Sequence, residues 1–168
     1  MYYIVLNEQL MKSQNKDMLE AYGATAKVLP DDYEENKYIV QGNELVINPN
    51  YNTFLFEKAK EEKLKENDTK RDEALEKGVL YKQVLFDSDT DQKVNILATV
   101  SLMREDEKII WFGKDNQPLE CKKEDLLAIG NMIKELHALC WNRNAEVKAR
   151  IGVARDLEDL DAIDIYYG

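Results

Sequence analysis

Over the first fifty positions, apolar and polar residues alternate in short runs. "YYIV", Tyr2 to Val5, reads as a strand, and "NKDMLEAYG" as a short helix stopped by Gly23, the residue type that best tolerates a helix C-terminus. "AKVLP" reads as a second strand closed by Pro30. "KYIVQGNELVIN" is the clearest hairpin: the β-rich triplets Tyr38–Val40 and Leu45–Ile47 flank the turn residues Gly42 and Asn43. Asn48-Pro49 ends this pattern, which predicts a small α+β module over residues 1–48.

From Glu57 to Lys77 the periodicity vanishes. Fifteen of these 21 residues are charged, eight acidic and seven basic. A helix of this composition has no wide apolar stripe and would rest on Glu–Lys pairs one turn apart. Leu64 and Leu75 do not share a seam. Residues 49–77 are therefore expected to form an exposed helical connector, or an arm that gains order in an oligomer.

Beyond residue 78 the pattern returns. "GVLYKQVLF", Gly78 to Phe86, reads as one strand. "QKVNILATVSLM" places Val94, Leu97, Ala98 and Leu102 at helical spacing. "KIIWFG" and "QPLEC" form a hairpin about Asp115-Asn116. The strongest signal follows: Leu126, Ile129, Ile133, Leu136 and Cys140 recur at spacings of three and four, a seam for another helix. Leu127 and Leu139 widen it, while Val147, Ile151 and Ala154 extend it towards Arg155. Lys123 to Asp125 open the helix, with acids favourably placed near its positive end. "DLEDLDAIDIYYG" predicts a last helical turn and a tail. The expected fold class is α+β: the N-terminal module, the charged connector, and a mainly helical domain over 78–168 with an inserted β-hairpin. Its core would pair the Val94–Leu102 helix with the Leu126–Cys140 seam.

Composition narrows the functional classes. The 168 residues are 44% hydrophobic, enough for a core, and 33% charged with a net charge of −10. That surface repels nucleic acid and anionic membrane, so neither is an expected partner. No apolar run approaches the roughly 20 residues of a membrane span. "MYYIVLNEQLMKSQ" has neither the basic start nor the apolar centre of a secretory leader, which predicts a cytoplasmic protein. Cys121 and Cys140 are expected as two unpaired thiols in a reducing compartment.

Three aspartates, Asp87, Asp89 and Asp91 in "DSDTD", are the first candidates for chemistry. They match the opening of a calcium loop, but its sixth and twelfth positions would be Gln92 and Ala98, without the turn glycine or the bidentate glutamate. The expectation is therefore helix initiation, with Asp89 or Thr90 capping the free N–H groups of a helix starting near Asp91. His137 and Cys140 form an H-x-x-C pair, yet zinc needs three or four ligands and the chain has no other histidine. With a single histidine there is no evident base for a nucleophile, and no phosphate-cradling glycine loop is present. The expectation is no enzyme, no cofactor and no metal. Aromatic residues are the candidates that remain for partner binding, Trp111, Phe112, Trp141, Tyr38 and Tyr51, although for Trp111 the first expectation is an anchor packing the hairpin on the helices, and Trp141 has the same two readings.

Residues Arg71 to Ile151 contain, in order, "RDEALEKGVLY", "VLFDSDTDQKVNIL", "IIWFGKDNQPLECKKEDLLAIG" and a closing helix through "IKELHALCW". This ordered set resembles a domain found in bacteriophage tail-fibre and tail-fibre-associated proteins. "YIVQGNELVINPNY" followed by a charged helix is similar to short N-terminal modules of phage tail accessory proteins. The resemblance implies a non-enzymatic phage or phage-derived accessory protein that assists folding or attachment of a fibre or receptor-binding protein. The alternative is a structural subunit of the fibre or baseplate retained in the particle. It implies a fibre protein as partner, with self-association a further option. The expected location is the host bacterium's cytoplasm during assembly, or the virion tail.

Overall fold

A computed structural model of the chain describes residues 1–167 and shows an α+β protein. It divides into two compact units, Met1–Lys58 and Ala59–Gly168.

The first unit is organised about strand β1, Tyr2–Leu6, which pairs antiparallel with β2, Gln9–Ser13, on one side and with β3, Lys27–Val28, on the other. Successive side chains of a strand point to opposite faces. Tyr3 and Val5 therefore join Leu29, Val40 and Leu45, while Ile4 meets Leu19 and Ala26. Leu19 belongs to helix α1, Lys16–Glu20, started by Asn15, whose side chain accepts from the Met18 N–H at 3.2 Å. Strands β4, Tyr38–Gln41, and β5, Glu44–Ile47, form the expected hairpin about Gly42 and Asn43. β2 has no counterpart in the sequence reading. Its turn residues, Asn7 and Glu8, both adopt positive φ without a glycine, so the usual marker of a tight turn is missing.

Helix α2, Tyr51–Glu76, runs through the boundary between the units. Within the second unit it is not the exposed connector its charge suggests. Asn67 and Ala74 are buried, and half-buried Leu64 and Arg71 complete a line with them, 64, 67, 71 and 74, at spacings of three and four. The seam was invisible as hydrophobicity because two of its four positions are polar.

Gly78 follows α2 at φ +73°, and a Cβ there would stand 2.1 Å from the Phe86 carbonyl oxygen. Only glycine fits. The segment read as one strand is a hairpin, β6, Val79–Tyr81, and β7, Val84–Phe86. Lys82 and Gln83 make its turn at φ 48° and 67°, a conformation that neither residue type advertises. Helix α3, Thr90–Leu102, leads to the hairpin of β8, Lys108–Phe112, and β9, Pro118–Lys122. Asp115 and Asn116 turn that hairpin, both at positive φ. Helix α4, Lys123–Val153, and the short helix α5, Leu157–Asp161, complete the unit.

The core collects Val79, Val84, Phe86, Ile96, Met103, Cys121, Leu126, Ile129 and Ile133. Along α4 the buried line continues through Cys140, Asn144, Val147 and Ile151, so the seam holds for most of the helix. α3 does pack on α4, but through Ile96 with Val100 beside it. Val94, Leu97, Ala98 and Leu102, the residues expected at that contact, are exposed. α3 carries two apolar stripes, and the one that enters the core is Ile96, Val100 and Met103, spaced four and three apart, the last lying beyond the helix end. The tail after α5 also buries Ile163 and Ile165.

Candidate interaction surfaces

The three aspartates occupy the junction between β7 and α3. Asp89 is the N-cap: its carboxylate accepts from the Gln92 N–H at 2.7 Å. Asp91 lies in the first turn, where the helix end favours negative charge. Asp87 pairs with Lys114 at 3.4 Å, and the same ammonium donates to the Glu76 carbonyl at 2.8 Å. Ser88 between them is buried, its hydroxyl donating to the Leu75 carbonyl. The aspartates thus point to separate tasks. No group of three or more potential metal ligands exists among the described residues. "DSDTD" starts a helix and ties down its approach.

A cleft of about 310 Å³ opens beside this junction, lined by Asp87, Ser88, Asp89, Lys114 and His137 among others. The His137 ring does not project freely into it. Nε2 is 2.6 Å from the Ser88 carbonyl oxygen and Nδ1 is 3.5 Å from Lys93 Nζ. A carbonyl only accepts, so Nε2 carries the proton and Nδ1 faces the ammonium as acceptor. Both nitrogens are committed to holding the β7–α3 junction against α4. Cys140, one turn along, is fully buried in the seam, and burial pushes its thiol above the ordinary range. The H-x-x-C pair therefore splits between two environments.

The aromatic candidates fall in three places. Ile109 and Trp111 of β8 pack on the core, with Trp111 Nε1 buried and without a hydrogen-bond partner among the described residues. Alternation then turns Ile110 and Phe112 outward, at 55% and 58% exposure. Trp141 is half-exposed beside the α4 seam, with the Arg71 guanidinium 4.4 Å from its ring centroid. Arg71 also holds Asp68 at 2.9 Å and Asp72 at 2.7 Å, so the tryptophan covers one face of a cation whose edge is already paired.

Tyr38 and Tyr51 belong to the first unit. Tyr38 donates to Asp32 at 2.7 Å, Lys37 pairs with the same carboxylate, and Tyr51 donates to Glu34. These bonds to the neutral phenols raise both tyrosines above the ordinary range, and the Lys37 ammonium holds Asp32 below it. Tyr33 stacks on Tyr38 with centroids 5.8 Å apart, and Tyr51 stacks on Phe54 at 6.5 Å. Together they make a small surface of aromatic faces edged by both signs of charge.

Two polar clusters escaped the sequence reading. Asp125, buried near the start of α4, accepts from Lys82 Nζ at 2.6 Å, Tyr81 Oη at 2.8 Å and the Lys122 N–H at 2.9 Å. These donors, the lysine first, hold its carboxyl down at about 2. They clamp the β6–β7 turn to α4. The second cluster links α2, α4 and the tail. Asn67 donates to the Asn144 carbonyl at 3.2 Å and accepts from Tyr167 Oη at 2.6 Å. Asn144 donates to Asp68 at 3.0 Å, and Lys148 pairs with that carboxylate at 2.8 Å. Asn144 sits four residues after Cys140 and three before Val147, at a seam position, the one sequence sign that a polar partner was needed.

Residues 58–166 match the family described as "Domain of unknown function (DUF4376)". The matched span starts one residue before the second compact unit does. No curated protein and no solved structure matches the chain.

Proposed function

The chain belongs to the DUF4376 family, and we propose that it is a non-enzymatic accessory protein of phage tail fibres, assisting folding or attachment of a fibre or receptor-binding protein in the host cytoplasm. The observation that carries this reading is the outer face of the β8–β9 hairpin. Ile110 and Phe112 are more than half exposed there, across from Glu120 and Pro118, while the inner face already fills the core with Ile109 and Trp111. The fold gains nothing from two large apolar groups in water. Such a patch on a rigid hairpin suits a partner that covers it. The tail-fibre setting comes from the ordered sequence resemblance of Arg71 to Ile151.

Mass spectrometry of purified tail particles, run beside the producing-cell lysate, tests the proposal. An assembly helper is abundant in lysate and missing from particles. Fixed stoichiometry within particles makes the chain a structural fibre or baseplate subunit instead. Pull-down with Phe112→Asp then tests the surface: the variant should fold normally and capture at least tenfold less fibre protein than the natural chain.

A further inference from the structure

Residues 163–167, which follow α5, belong to neither a helix nor a strand and are held by α2 and α4 together. Their side chains alternate. Ile163 and Ile165 are 5% and 4% exposed and Tyr167 is half-buried, whereas Asp164 and Tyr166 face solvent. Side chains of the two long helices take the main chain. Lys70 Nζ of α2 donates to the Ile165 carbonyl at 3.2 Å, and Arg143 Nε of α4 donates to the Tyr166 carbonyl at 3.3 Å. Tyr167 Oη donates to Asn67 at 2.6 Å.

Alternate side chains turned inward, with carbonyls taken by side-chain donors, are the geometry in which a groove holds an extended peptide. We propose that the α2–α4 seam is a recognition site for such a peptide, reading apolar side chains at alternate positions and a tyrosine hydroxyl beyond them. Residues 163–167 are its resident ligand in cis: a strap that releases and redocks while the rest of the unit stays folded. Each donor has a second partner that remains when the segment leaves. Lys70 pairs with Glu66 at 2.8 Å and Arg143 with Glu146 at 2.9 Å. Asn67 keeps its bond to the Asn144 carbonyl, and Asn144 its bond to Asp68. Release therefore strands no cation, and stranding is what makes removal of a buried polar contact costly. The outer side chains stand in solvent, so no second layer pins the segment.

Two experiments on the full chain test this. In Ile165→Cys the introduced thiol reacts only when the segment lifts, while buried Cys121 and Cys140 report opening of the core. A strap predicts labelling by a disulfide reagent roughly a hundredfold faster at the introduced thiol than at either natural cysteine, at a rate that low urea leaves unchanged. Equal rates at all three thiols overturn the inference, because the segment then opens only with the core. Ile165→Asp tests recognition, since a carboxylate in the apolar site releases the strap. The variant should keep a cooperative melt and bind a fluorescent synthetic peptide of residues 162–167. Its affinity should be about tenfold or more above that of the natural chain, whose site is free only in the released fraction. The same peptide carrying Ile165→Asp should not bind. A variant without a cooperative melt, or one that ignores the natural peptide, overturns the inference. So does equal binding by both chains, which places the peptide elsewhere. No fibre protein enters either experiment, so the accessory role stands or falls separately.

Discussion

α3 and α4 are neighbours, and both repeat apolar residues at helical spacing, yet they spend them differently. α4 buries Leu126, Ile129, Ile133, Cys140, Val147 and Ile151 completely. α3 hides Ile96 and leaves Val94, Leu97 and Leu102 in water. Periodicity reports that a helix has an apolar face. It does not report whether anything in the same chain covers that face. α4 is covered because β6, β7, β9, α3 and α2 all converge on it, whereas α3 has α4 on one side only.

The contrast can be broken most severely at Ile133. Truncation to alanine in a fully packed seam should destabilise the protein by about 3 kcal/mol, read by chemical denaturation of the whole chain. A loss below about 1 kcal/mol would mean that the seam is loose and that α4 differs little from α3. The polar part of the seam comes next. Asn67→Ala leaves the Asn144 carbonyl and Tyr167 hydroxyl without their partner and should cost about 2 kcal/mol. Hydrogen exchange should then quicken in α2 and the tail before it does in α3.

Asp125 sharpens the comparison through pH. Its carboxyl is lowered from 3.8 to about 2 in the folded chain, chiefly by Lys82. A lowered folded value means stability that is fully present above pH 3.8 and is lost as pH falls towards about 2. Lys82 is half in solvent, so the contribution is roughly 1 kcal/mol rather than the full shift. Asp125→Asn should flatten the decline in stability across that window, and an unaltered acid limb would show that the clamp contributes nothing.

Asp89 acts at the start of α3 alone. Asp89→Ala removes the cap on the Gln92 N–H and should cost about 1 kcal/mol. Calcium or magnesium should leave the melting temperature of the natural chain unchanged, since a cation held only by the folded form would raise it. The smallest effect is expected at Leu97, where Leu97→Asp should change stability by less than about 0.5 kcal/mol. Equal losses at Leu97 and Ile133 would erase the distinction between the two helices.

Several elements were legible because their signals are local. The α4 seam follows from spacing, the Asp89 cap from one carboxylate beside free N–H groups, and the β4–β5 and β8–β9 hairpins from turn residues that tolerate positive φ. The β1–β2 and β6–β7 turns were not legible, because Glu8, Lys82 and Gln83 carry no turn signature and adopt positive φ only within the folded chain. For β6–β7 the constraint is visible: Tyr81 and Lys82 are held by Asp125, more than forty residues away. Among the candidate partner-binding residues, composition could name Trp111 and Phe112 but not tell them apart. Strand register did, placing one on the core and the other in solvent.

The sequence by itself determined the α+β class, the helix starts and the stripe of α4, because each depends on residues within one or two turns. Tertiary structure alone decided that charged α2 is half-buried, that Asn67 and Asn144 share a bond, and that α3 shows one of its two apolar stripes to water. Those outcomes depend on what stands opposite each side chain, and burial is a property of the pair of surfaces rather than of either one.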